Sequence, residues 1–312
     1  MAIRWRFPTE NELDVCLDMS PERLGAERIG DAAARAIWRR LFREPSVICA
    51  LLEADPPLCG QRIVGFGASV FVAPAFLDAE LAQPAPFMNM RIIEGVQRGD
   101  PVLLSRADIA AANARDGVDV VVMHGTVNEA AHEGVELQTV SAMSFVESHA
   151  GYRVRRIAVE SSRPWQHDGY RHTGIFDVHA VFDGTERMLH VTTRDKGLAM
   201  VGSMARQMFL YREPTLRLRE ADQALLIAAL DGDTDDSLSS RLHISVSAVK
   251  ARWRSALDRV RETMPDLIGD TTDSEPLAGR RGAQKRHRLL AYVRAHPEEL
   301  RPFDWSARLR SR

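Results

Sequence analysis

The strongest constraint in this sequence is a pair of amphipathic helical segments joined by a three-residue turn between residues 234 and 262. Val249, Trp253, Leu257 and Val260 recur at i, i+4, i+8 and i+11, so one stripe of the second segment has to be buried. Ser245 before that segment and Thr234 before the shorter one are N-cap residues, and Asp235 and Asp236 fall in a first turn, where the helix dipole favours anions. His243-Ile244-Ser245 makes the turn, and the small side chain of Ser239 lets the two helices approach closely. A preceding helix, Arg219–Leu230, turns Ala224, Leu225, Ala228 and Ala229 inward and stops at Asp231-Gly232. Lys250, Arg252, Arg254, Arg259 and Arg261 lie mostly off the buried stripe. Two capped helices around a tight turn, the second with a cationic outer side, are the parts of a helix-turn-helix.

The run from Gly232 to Arg252, with Thr234-Asp235, Leu238-Ser239, Leu242-His-Ile244-Ser245 and Ala248-Val249-Lys250, resembles the DNA-binding module of LuxR-type regulators. It departs from that pattern at Asp236-Ser237, where the family carries Lys-Glu, and in the longer spacing from Arg219-Glu220 to Gly232. The Ala-Val-Lys-Ala-Arg-Trp-Arg stretch is also similar to the promoter-reading region of sigma factors, but residues 1–210 hold nothing like the helical domain that precedes it there. The LuxR resemblance implies that the helix beginning near Val246 enters a major groove of double-stranded DNA. The expected DNA-binding residues are Thr234, Ser245, Ser247, Lys250, Ala251, Arg252, Arg254 and Arg259.

The charge distribution fits a polyanion partner only at one end. The chain has 41 Lys and Arg against 43 Asp and Glu, a net charge of −2, but residues 280–312 carry a net +7 and leave −9 on the rest. A Gly/Pro/Asp-rich stretch, Pro265–Gly282, precedes this tail, whose helix Gln284–Ala295 carries Leu289, Leu290, Tyr292 and Val293 with Lys285, Arg286 and Arg288, the pattern of a docking or capping helix.

Before Arg212-Glu213-Pro214 the character is α/β. An amphipathic helical region covers Glu22–Arg43, and Ser46–Glu53 and Arg62–Val72 read as strands turned at Asp55-Pro56-Pro57. Pro74–Pro86 reads as irregular, Phe87–Arg98 fits either strand or helix, and Asp108–Arg115 reads as helix. Asp119–Met123 is a strand, His124–Gly134 a polar loop, Glu136–His149 a helix with Leu137, Val140, Met143 and Phe145 inward, and Tyr152–Glu160 a strand. That order predicts two parallel strands joined by a right-handed crossover. Ile175–Phe182 and Met188–Thr193 add further strands.

The end of this region, Phe145-Val-Glu-Ser-His-Ala-Gly151-Tyr152-Arg153-Val154, resembles the helix-to-strand junction of the GNAT acetyltransferase superfamily. In that family a Gln/Arg-x-x-Gly-x-Gly/Ala loop cradles the pyrophosphate of coenzyme A at a helix N-terminus. Here the corresponding loop, Gly125–Gly134, is acidic and lacks the glycine pattern, which favours a degenerate, ligand-sensing or dimerising relative over a coenzyme A enzyme. His167, His172, His179 and His190, with Asp168 and Asp177, match no metal or triad spacing and read as surface or strand-packing groups, and Met88 and Met90 read as core. Cys16, Cys49 and Cys59 are too few and too far apart for a disulfide framework or a zinc knuckle.

These readings combine into a cytoplasmic DNA-binding transcription regulator. Its fold is an α/β N-terminal domain (1–211) plus an all-α helix-turn-helix C-terminal domain (212–268), followed by a linker and basic helical tail (269–312). A homodimer is expected, since one short recognition helix reads few base pairs, with RNA polymerase and a small-molecule effector as further partners. No catalytic residue, metal, cofactor or membrane contact is assigned: no apolar run approaches the roughly 18 residues of a bilayer span. The alternative is an acyltransferase-like enzyme whose C-terminal helices are a packing or partner module.

Overall fold

The computed structural model describes residues 2–19, 30–58, 60–127, 135–230, 232–269 and 278–310. It divides into two compact units, Met1–Leu210 with Asp304–Arg312, and Tyr211–Phe303.

The first unit is built on a seven-stranded mixed sheet of β1 (Ala2–Arg6), β2 (Val47–Leu58), β3 (Gln61–Val72), β4 (Val118–Val127), β5 (Val154–Ser161), β6 (Asp177–Val181) and β7 (Met188–Thr193). Their order is β1-β2-β3-β4-β5-β7-β6. All neighbours are antiparallel except β4 and β5, which run parallel. A parallel pair needs a long crossover, and the helix Val135–Ser148 between the two strands provides it, as the sequence order predicts. Val118, Val120 and Val121 are all buried, so β4 is covered on both faces and carries a continuous apolar run.

Helices α1 (Leu13–Asp18), α2 (Asp31–Leu41), α3 (Pro74–Ala82) and α4 (Met88–Arg98) cover one face. Their Leu13, Trp38, Leu41, Leu77, Met88 and Ile92 pack against Leu51, Phe66, Val121, Met123 and Ala158. On the other face, Ile109 of α5 (Arg106–Ala114) and Phe145 of α6 (Val135–Ser148) join Phe71, Val118, Val120, Ile157 and Phe209. Three short helices, α7 (Pro164–His172), α8 (Arg194–Ala199) and α13 (Trp305–Arg310), complete the unit.

Several local expectations are corrected. Residues 74–82 form a helix: Pro74 stands at its first position, where a missing N–H costs nothing, and Leu77 is fully buried. β2 continues through Pro56 and Pro57, because its pairing with β3 lapses between Glu53 and Leu58 and no ladder bond is asked of the prolines. His124–Val127 is strand, paired with Gly65–Ala68. In α6, Met143 is exposed, and the inward side of this segment carries Leu137, Ser144 and Ser148 with His149 just beyond it. That polar side is tolerated because His149 Nε2 lies 2.7 Å from Ser69 Oγ and Nδ1 lies 2.7 Å from the Phe145 carbonyl. Of the amphipathic region at 22–43, residues 20–29 lie outside the described residues and Asp31–Leu41 is helical.

The second unit has its own apolar core. Leu225, Leu226 and Ala228 of α9 (Glu220–Ala229), Leu238 of α10 (Asp235–Arg241), and Val249, Trp253, Ala256 and Val260 of α11 (Val246–Thr263) meet Leu289 and Val293 of α12 (Ala278–Ala295). Thr234 and Ser245 cap α10 and α11, accepting from the amides of Ser237 and Ala248 at 3.2 Å. Ser239 Oγ donates to the Ile244 carbonyl at 2.5 Å and closes the turn. Buried Glu299 accepts from the amides of Thr215 and Leu216, both at 2.8 Å. Among the described residues no helix is long and apolar enough to cross a membrane.

Candidate functional site

The sheet of the first unit is split where the parallel pair ends. β4 and β5 pair from Val118/Val154 to Val122/Val159, with one shift of register between Val118 and Asp119, and then part: β4 continues to Val127 along β3 alone, and β5 to Ser161 along β7 alone. Met123 marks the break. Ser69 of β3 pairs with Val122 and Ala68 with His124, so Met123 is an extra residue, a β-bulge of the kind that bends a strand and ends its pairing. The bulge also shifts the alternation of faces, bringing His124 onto the side of Phe66, with ring centroids 6.0 Å apart.

A strand that loses its neighbour needs other partners for its backbone. Two carboxamides serve beyond the split. Asn89, on the first turn of α4, donates from Nδ2 to the Met123 carbonyl at 2.7 Å, and Gln166, on the first turn of α7, donates from Nε2 to the Gly125 carbonyl at 3.4 Å. The same Gln166 accepts at Oε1 from the Ser162 amide just past β5, at 3.1 Å. Asn89 Oδ1 is buried with no hydrogen-bond partner.

Asn89 is positioned by β5. Glu160, on that strand, accepts from the amides of Phe87 and Met88 at 2.9 and 2.8 Å and from Arg187 Nη1 at 3.0 Å, which fixes the start of α4. Arg187 also lies over the Phe87 ring, 4.3 Å from its centroid.

At the end of β5 a hydroxyl and two imidazoles converge. Ser161 Oγ is 2.5 Å from His167 Nδ1 and 2.8 Å from His190 Nε2, and His167 Nε2 is 2.9 Å from the Glu186 carbonyl. A carbonyl only accepts, so the proton of His167 is on Nε2 and its Nδ1 accepts from Ser161. Ser161 in turn accepts from His190 Nε2–H, leaving His190 Nδ1 bare; it is buried and has no partner. Burial, and secondarily the neighbouring His167, lower the pKa of His190 to about 4, which keeps this ring neutral. Tyr170 packs against the His190 ring, its hydroxyl pushed up to about 12 by burial.

His190 is a buried histidine of strand β7 and His167 a half-buried one of α7, and the two share Ser161. His172 bonds the Asp168 carbonyl within its own helix, and His179 bonds the Leu81 carbonyl. Among the described residues no cluster of three or more His, Cys, Asp or Glu side chains could hold a metal. Asn89, Glu160, Ser161 and Gln166 escape sequence reasoning, since only strand register brings them to the split. Residues 128–134, most of the expected phosphate loop, lie outside the described residues.

In the second unit, Ser247, Lys250, Ala251 and Arg254 are exposed on α11, and Arg252 and Arg259 are partly exposed. Thr234 and Ser245 are also exposed, with their hydroxyls engaged in the helix caps.

No family model and no curated protein matches the chain. Solved structures do. An acetyltransferase from Thermus thermophilus matches at 12% identity over 62% of this chain and 97% of its own, with a TM-score of 0.33. An aminoglycoside acetyltransferase in complex with coenzyme A matches at 13% over 64% and 99%, TM-score 0.34, and a spermidine N-acetyltransferase from Vibrio cholerae at 7% over 63% and 97%, TM-score 0.37. The first unit is a mixed α/β fold on a seven-stranded sheet. The expectation of a DNA-binding transcription regulator is corrected accordingly: the matched chains are acetyltransferases, and the larger unit contains a split sheet with polar groups aimed into it. The caps, tight turn and cationic outer side of α10 and α11 suit a DNA-reading unit and equally a helical module that packs or binds a partner.

Proposed function

We propose that the first unit is an acyltransferase that takes an acyl group from a coenzyme A-type thioester and passes it to an amine, with the second unit as its packing or partner module. The observation that carries this reading is the split at Met123. Beyond it, two β4 carbonyls accept from side chains where β5 has parted, and Asn89 Oδ1 offers a further buried acceptor. An extended arm bearing secondary amides, such as that of coenzyme A, has the donors that such an edge lacks. Met123, Gly125 and Asn89 are the residues that would hold it.

The proton released by the acceptor amine is assigned to the end of β5. Ser161 Oγ has two lone pairs, one occupied by His190 Nε2–H and one able to take a proton, while its own hydrogen already points at His167 Nδ1. Uptake at Ser161 and release to His167 conserves the proton count, and neutral His190 keeps the serine oriented.

The test is to incubate the full chain with acetyl-CoA and a panel of polyamines and amino sugars, following free thiol release, with calorimetric titration of acetyl-CoA alone. Binding together with amine-dependent thiol release is the expected result. No binding of acetyl-CoA at millimolar concentration removes the reading.

A further inference from the structure

We infer that Gln166 is an internal occupant of the split, bridging β4 and β5 with its own carboxamide, and that a ligand arm entering there has to displace it. The inference rests on the acyltransferase reading and adds a competing group to it. A carboxamide has the donor and acceptor of a peptide unit, and Gln166 uses both across the gap: Oε1 accepts from Ser162 beyond β5, and Nε2 donates to Gly125 of β4. It takes the place of the ladder that the Met123 bulge interrupts.

Three features show that the bridge is built to open. The bond to Gly125, at 3.4 Å, is long for an N–H···O bond and is the weaker half. The apolar anchor of helix α7 is Tyr170, packed on Phe176 and His190 in the turn after Gln166, so the first turn that carries Gln166 is not itself held by it. His167 in the same turn is tied by polar bonds too, to Ser161 and to the Glu186 carbonyl. Opening at Gly125 leaves the Ser162 half and the Ser161–His167 pair intact, so the cleft can be vacated without dismantling the proton-handling groups.

The experiment compares wild type, Gln166→Ala and Gln166→Glu as full-length proteins, by calorimetric titration with acetyl-CoA and by amide hydrogen exchange without ligand. The glutamate keeps the acceptor for Ser162 and lacks the donor for Gly125, so it breaks only the proposed latch. Both variants should bind acetyl-CoA about three- to tenfold more tightly, the range set by one neutral hydrogen bond. Both should also exchange faster over Met123–Val127 than wild type. Equal or weaker binding by variants that remain folded, or unchanged exchange, overturns the bridge and leaves the acyltransferase reading in place. Absence of binding in all three proteins overturns the acyltransferase reading, and displacement by the arm falls with it.

Discussion

Ser161 and His190 face each other diagonally across β5 and β7, with Ser161 Oγ accepting from His190 Nε2 at 2.8 Å. This bond is available only to the tautomer that leaves His190 Nδ1 without a proton, in a place sealed from water. The ring is therefore neutral in the fold at a pH where, in the unfolded chain, it would be charged.

Stability should consequently fall as the pH drops from about 6.5 to about 4, because the unfolded chain binds a proton at His190 that the folded one refuses. Above pH 6.5 both states are neutral and the effect is absent. Urea midpoints measured across this window should decline in wild type and decline less steeply in His190→Gln. Identical slopes for the two proteins would mean that His190 does not carry the effect.

Glu299 ties the second unit together by holding two backbone amides on separate carboxylate oxygens, although burial raises its pKa despite those bonds. Glu299→Gln keeps one acceptor and turns an N–H group toward the other amide. A loss of about 1–3 kcal/mol in urea unfolding of this unit is expected, the cost of one buried donor left unsatisfied. Full stability in the variant would show that the clasp contributes nothing.

Gly117 opens β4 with φ +95°, and a Cβ placed there would stand 2.3 Å from the Arg153 carbonyl oxygen. Both the dihedral and the clash with backbone oppose substitution, so Gly117→Ala should lose more than about 2 kcal/mol. Thermal unfolding of that variant beside Gly125→Ala, whose Cβ would meet nothing within 4 Å, checks the contrast. Equal melting temperatures would refute it.

What could be read from sequence followed the range of the interactions involved. The crossover between the parallel strands was legible, because strand, helix and strand lie in order between Val118 and Ser161, each with its own periodicity. The caps at Thr234 and Ser245 were legible for the same local reason. The bulge at Met123 was not, since an extra residue is visible only against the partner strand β3. Nor was the meeting of Ser161 with His190, which are 29 positions apart and joined only by the register of β5 and β7. Function was misjudged where a local pattern was strongest, at α10 and α11, while the groups that open and line the split come from four separate stretches of chain.

The unpaired rung at Met123 has a genetic corollary. A pleated strand keeps a two-beat rhythm, and one supernumerary residue puts the remainder of β4 out of phase. Removing that single codon would restore the beat, making Val122 and His124 neighbours while His124 stays opposite Ala68 on the same face. It would also let the ladder zip onward, so a crevice of this kind can be gained or erased in one insertion or deletion event.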